Sequence, residues 1–251
     1  VTSFVRAFGL TERCYGRLLG MFHSTAVRRD ELPDLWSRVV LSLLKPLLFC
    51  VNGRIVLLAD GIKAPKTGRK MPGVKKLHQE SRNNSKPEYI FGHSCQAIEV
   101  VRIYGVRFKI EVSFKHAVHT VGTWNYHFWM AAMKPLKRRS GNQHVHKETE
   151  KYRQAVRRKL GAYQCFLQMG VIAQGLLQML AILHPETVWQ CFGSWLRTIR
   201  PGVAPSEQVV MLALRECLPG FIAGFRKTNP LAKIISENLD IERAEGFRLA
   251  S

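Results

Sequence analysis

The stretch from Val56 to Ser81, VLLADGIKAPKTGRKMPGVKKLHQES, starts as an apolar strand and turns into a cationic segment, so any fold must serve both halves. Ile55, Val56, Leu57, Leu58 and Ala59 form a β-branched-rich apolar run bounded by Gly53 and by Asp60-Gly61. Such a run predicts a buried strand ending at a turn. Asp60 then stands at the strand's C-terminal end, where a carboxylate on a rigid element facing a cleft suits a hard divalent cation. Beyond it Lys63, Lys66, Arg69, Lys70, Lys75 and Lys76 precede the next acid, Glu80, and Pro65, Gly68, Pro72 and Gly73 interrupt them. This composition predicts a flexible, phosphate-seeking loop; the competing reading is a solvated turn opened by Asp-Gly.

The charge balance bears on partners. Lys and Arg outnumber Asp and Glu 38 to 18, a net charge of +20, with a pI near 10.2. Nucleic acid is the default partner for such a surface. Neutralising about six phosphates would give a log-log salt slope of roughly −5. With 251 residues the chain buries a sizeable core without disulfide or metal staples. The six cysteines, Cys14, Cys50, Cys95, Cys165, Cys191 and Cys217, stand singly and form no CxxC pair, so they read as reduced, buried thiols of a cytoplasmic protein. The chain begins at Val1 and shows no basic segment leading into an apolar one, so no signal peptide is expected; it reads as a fragment or the product of a non-ATG start.

Residues 1–50 read as helical. Leu18, Leu19, Met21 and Phe22 lie in a first segment, and Asp30-Glu31-Leu32-Pro33 opens a second through Trp36, Val39, Val40, Leu43 and Leu44. Tyr89-Ile90-Phe91 and Ala97 to Ile103 read as two strands with Gly92-His93 between them. His93 is a satisfied core histidine or, less in keeping with its apolar neighbours, a ligand or base. Next, Tyr104, Arg107, Glu111 and Lys115 are spaced three, four and four apart and share one helical face. Arg107 to Lys115 also alternates polar and apolar, a strand signal, and under either period Arg107, Glu111 and Lys115 point the same way.

Trp124, Tyr126, Phe128 and Trp129 form an aromatic cluster read as core, with stacking on unpaired bases as the alternative. Between Lys134 and Lys159 ten Lys or Arg, Lys137, Arg138 and Arg139 among them, face only Glu148 and Glu150. That is a second basic patch, a linker followed by a helix gripping DNA, or else a solvated face. Cys165 to Leu183 is long and apolar, but Gln164, Gln168, Gln174 and Gln178 form a polar stripe that argues for a buried helix with one wet side and against a membrane span. Pro185, an amphipathic Trp189 to Ile199 segment, breaks at Pro201 and Pro205, a helix from Ser206 and a charged tail from Arg226, frayed at its end, complete the chain.

The wording DGIKAPKTGRKMPGVKKLHQES, followed by NNSKPEYIFGH from Asn83 to His93, resembles the catalytic-core signature of bacterial insertion-sequence transposases of the DDE, ribonuclease-H-like superfamily. The resemblance makes Asp60 the first of three metal-binding carboxylates. The Tyr104, Arg107, Glu111, Lys115 spacing is similar to the family's Tyr-Arg-Glu-Lys signature, although Lys115 lies closer to the glutamate than usual. It makes Glu111 the last carboxylate, with Tyr104, Arg107, Lys115 and the Lys63 to Lys76 cations on DNA phosphates. It also implies Mg²⁺ or Mn²⁺ as cofactor, DNA as partner, and a homo-oligomer or association with a full-length transposase.

The family's second aspartate has no counterpart. The four aspartates are Asp30, Asp34, Asp60 and Asp240, and only 50 residues lie between Asp60 and Glu111, as an internal deletion would leave. Glu80, Glu88 and Glu99 lie in that gap, and Glu99, on its strand, is the best replacement among them. Losing one metal ligand is expected to lower turnover roughly 10³-fold or more.

The expected fold is therefore α/β: a truncated ribonuclease-H-like mixed sheet core at 51–133, a helical N-terminal segment at 1–50, a basic linker and helix at 134–160, and a helical C-terminal region at 161–251. The expected function is DNA transposition with impaired cleavage, in a cytoplasmic, nucleoid-associated protein without a membrane span. The alternatives are a non-catalytic DNA-binding remnant that inhibits transposition and a basic RNA-binding module.

Overall fold

The structure, a computed structural model, describes residues 5, 9–66, 68–79, 87–100, 112–126, 128–136, 143–193, 195, 198–224 and 230–240. It is mixed α/β. In chain order the elements are α1 (Arg13–Met21), α2 (Leu32–Leu44), a 3₁₀ turn (Lys45–Leu47), β1 (Cys50–Val51), β2 (Arg54–Ile55), β3 (Leu57–Pro65), β4 (Lys75–His78), β5 (Tyr89–Val100), α3 (Glu150–Leu183), α4 (Pro185–Cys191), α5 (Glu207–Gly224) and α6 (Pro230–Glu237). Two compact units result, one from Val27–Val171 and the other from Val1–Ala26 with Ile172–Ser251.

In the Val27–Val171 unit the antiparallel strands run in the order β3-β5-β4. β3 was expected to stop at Asp60-Gly61. It continues to Pro65 because β5 offers every residue a partner, Asp60 opposite Ala97, Gly61 opposite Gln96 and Ile62 opposite Cys95. A paired ladder that buries Ala64 overrides the turn preference of Asp-Gly. Likewise, the two strands expected on either side of Gly92-His93 are one. Gly92 pairs with Pro65 of β3 and with Lys75 of β4, and a Cβ there would lie 2.1 Å from the Ala64 carbonyl oxygen. Only glycine admits so close a backbone. Upstream, β1 and β2 form a hairpin across Asn52-Gly53, whose φ values of 49° and 73° define the primed turn that suits strand twist.

Residues 112–116, which include Lys115, are helical and continue into a π-helical turn at Ala117–Val121 that Gly122 closes in the left-handed region, φ 73°. The strand alternative is thus excluded for residues 112–115. Trp124 and Phe128 are buried, and Tyr126, Phe128, Tyr163 and Phe166 stack among themselves at 3.8 to 6.1 Å. The aromatic cluster is core, with Trp129 as its exposed member. Met130, Met133 and Val156 form a neighbouring core with Tyr152 and Leu160 against it.

In the other unit Val5, Leu10 and Cys14 pack with Leu18 and Ile235. Within the tail from Arg226, Pro230–Glu237 forms α6, and Leu239 bridges to Leu10 while Asp240 N–H donates to Gly9 at 2.7 Å; the end of the tail, expected to be frayed, lies outside the described residues. Trp189 lies in α4, which ends at Cys191, and its Nε1 donates to the Val203 carbonyl at 2.8 Å. The glutamine stripe of α3 is engaged within each unit. Gln168 donates to Arg29 O in one, and Gln174 and Gln178 donate to Glu207 in the other. By length and composition α3 is the one helix among the described residues able to cross a membrane; its most apolar window has mean hydropathy 1.7 and is 22% buried.

Candidate functional site

Asp60 sits mid-strand on β3 with its side chain exposed, and its Oδ1 accepts the neighbouring Gly61 N–H at 2.7 Å. This corrects the strand-end placement. The register places Glu99 opposite Leu58, two positions along β5 from Ala97 and so diagonal to Asp60 on the ladder. Diagonal positions of an antiparallel pair lie about 7–8 Å apart. Among the described residues β3 is paired along one edge only, by β5.

Among the described residues no group of three His, Cys, Asp or Glu is gathered closely enough to hold a metal ion. Asp60 alone does not make the oxygen cage that Mg²⁺ or Mn²⁺ requires. Glu111 lies outside the described residues, as do Tyr104, Arg107, Lys137, Arg138 and Arg139.

The basic segment is a tether rather than an open loop. Lys63, on β3, donates its Nζ to the His78 carbonyl at 2.7 Å. Arg69 Nε donates to Leu136 O and Lys70 Nζ to Ala131 O, both at 3.1 Å, while the backbones of Arg69 and Lys70 accept from Leu136 and Met130. The described residues of 124–136 lie outside helix and sheet, and the cations of this segment supply donors to their carbonyls. Lys66 departs furthest from expectation. It is 5% exposed, and its Nζ donates to the Trp124 carbonyl and, at 3.5 Å, to that of Tyr126. A phosphate on the surface is out of its reach.

Burial pushes the Lys66 pKa below 10.5, opposed by the nearby Cys95 thiol. The Nζ also lies 5.7 Å from the Tyr163 ring, whose hydroxyl is buried and shifted upward, chiefly by desolvation. Of the cations expected on DNA phosphates that lie among the described residues, Arg69, Lys75, Lys76, whose Nζ sits 4.1 Å above the Tyr89 ring, and Lys115 are exposed.

His93 is the core histidine its apolar neighbours suggested. Its Nε2 bonds the Pro72 carbonyl at 2.9 Å and its ring lies 4.7 Å from that of Tyr163. Burial lowers its pKa, the Pro72 bond opposes this, and Lys66 adds to the lowering. Sequence reasoning missed Gln143, which accepts the Gly73 N–H at 2.9 Å and donates to Met71 O at 2.5 Å, so fixing the Met71 to Gly73 turn. A lone glutamine in a polar linker carries no sequence signal for that role.

In comparisons with known proteins, no family model, no curated sequence and no solved structure matches this chain.

Proposed function

We propose that this chain is a DNA-binding protein descended from a DDE-type transposase, holding insertion-sequence ends while cutting DNA weakly or not at all. The motif resemblance supports the descent, and the charge of +20 supports the partner. The observation that carries the loss of cleavage is that no aspartate stands between Asp60 and Glu111, and among the described residues no group of three possible metal ligands gathers. In the ribonuclease-H-like core implied by the resemblance, a further strand bearing the second aspartate belongs in the span that this chain lacks. Binding then falls to surface cations such as Lys75, Lys76 and Lys115, and the bonded glutamine stripe of α3 supports a helix that works outside a membrane. A second copy or a full-length transposase is the protein partner in this account.

The test is cleavage of a supercoiled plasmid carrying candidate ends, in Mg²⁺ or Mn²⁺, by the wild type, Asp60→Ala and Glu111→Ala. Retained binding with no nicking above the two variants is expected. Efficient nicking lost in both would refute the proposal and make Glu99 the first suspect for the missing ligand. Displacement of bound duplex by RNA at equal nucleotide concentration would move the reading to an RNA-binding module.

A further inference from the structure

Within the Val27–Val171 unit, a cleft of about 550 Å³ opens between the Gly73 to Lys75 turn and the first turns of α3, with His144 to His146 along its side. Its charged and titratable lining is Lys75, His144, His146, Arg153 and Arg157, and no carboxylate lines it. We propose that this cleft is a dedicated seat for a backbone phosphodiester of duplex DNA, an inference that rests on the DNA-binding reading and locates one of its contacts.

Three observations support a built site rather than a chance gathering of charge. First, the floor is fixed, because Gln143 clamps the backbone at both Met71 and Gly73. Second, the donors converge from separated stretches of sequence, Lys75 from β4, the histidines from the turn before α3 and the arginines from α3 itself. Third, Arg153 lines the cleft with its Nε buried and without a hydrogen-bond partner, so its guanidinium is not saturated by the protein.

The nearest competing anion is Glu150, which pairs with Arg153 at 2.7 Å and also with Arg157. One carboxylate shared by two guanidiniums cannot use their ten N–H donors, so donors remain for a phosphate oxygen, and Lys75 adds a point charge. The cleft is net positive before either histidine is protonated. A phosphodiester, with two free oxygens and one charge, matches the forked and point donors together.

The experiment measures binding of a short labelled duplex by fluorescence anisotropy from about 50 to 200 mM salt, a range over which phosphate contacts dominate affinity. The wild type is compared with Lys75→Gln/Arg157→Gln and with the charge-matched control Lys151→Gln/Arg158→Gln, all exposed positions whose replacement leaves the core untouched. The cleft pair is expected to flatten the log-log slope by about 2, and the control pair by less than half of that. Arg157→Lys keeps the slope but lowers affinity, because the fork is lost and the charge is not.

Equal flattening by both pairs would reduce the cleft to bulk charge and overturn the proposal, as would displacement of the duplex by inorganic phosphate at matched ionic strength, which would assign the cleft to small anions. A wild type that binds no duplex would bring down the DNA-binding reading itself, an outcome distinct from a bound duplex with an unchanged slope.

Discussion

Lys66 donates its ammonium to the main-chain carbonyl of Trp124, 58 positions along the chain, from inside the Val27–Val171 unit. The bond fastens the end of β3 to the aromatic segment. Lys66→Ala leaves that carbonyl buried and unpaired, so unfolding should become easier by about 1–3 kcal/mol. Lys66→Met keeps the stem and removes the buried charge, and should lose less. Because the folded pKa is depressed, the unfolded chain binds more protons between that lowered value and 10.5, so Lys66 contributes a rise of stability with pH across this window that Lys66→Met lacks. Denaturant titrations at several alkaline pH values check both points. The salt slope of DNA binding should be unchanged in Lys66→Met, and a flattened slope would place this lysine on phosphate after all.

His93 gives the opposite end of the pH scale. Its folded pKa lies below 6.5, so on acidification the unfolded chain takes up a proton first, and stability falls as pH drops from 6.5 toward the lowered value. His93→Gln can still donate to the Pro72 carbonyl but does not titrate. Melting curves between neutral and mildly acidic pH should therefore decline less in the variant than in the wild type. Parallel declines would show that His93 is not the group responsible.

Gly92 tests the continuity of β5. A methyl group there would meet the Ala64 carbonyl at 2.1 Å, whereas one at Gly61 meets nothing within 4 Å. Gly92→Ala should cost about 2–4 kcal/mol, in the upper part of the range for single substitutions, while Gly61→Ala stays within about 1 kcal/mol. Equal effects in urea unfolding would mean that the strands do not approach at Gly92.

The helices were legible where caps and periodicity agreed. Pro33 and Asp34 in the first turn mark α2, and Ser206 opens α5 by accepting the Val209 N–H at 3.4 Å. The sheet was legible in composition but not in extent, because Asp60-Gly61 and Gly92-His93 are turn-forming by residue type and strand-forming by partner. Gly53 marks the boundary of the apolar run in the sequence, and with Asn52 it is also the hairpin turn between β1 and β2. Lys66 was illegible for a different reason. A lysine in a run of lysines reads as surface, and only the carbonyls of Trp124 and Tyr126, remote in sequence, turn it inward. The cleft at Lys75, His144, His146, Arg153 and Arg157 joins residues that sequence order separates, so its basic residues were visible and their convergence was not.

The most direct test of the account is the salt dependence of wild-type binding to duplex DNA carrying candidate transposon ends. The account predicts tight binding at low salt and a log-log slope of roughly −5, the value for about six neutralised phosphates. Absence of binding at low salt, or an affinity insensitive to salt, would contradict it.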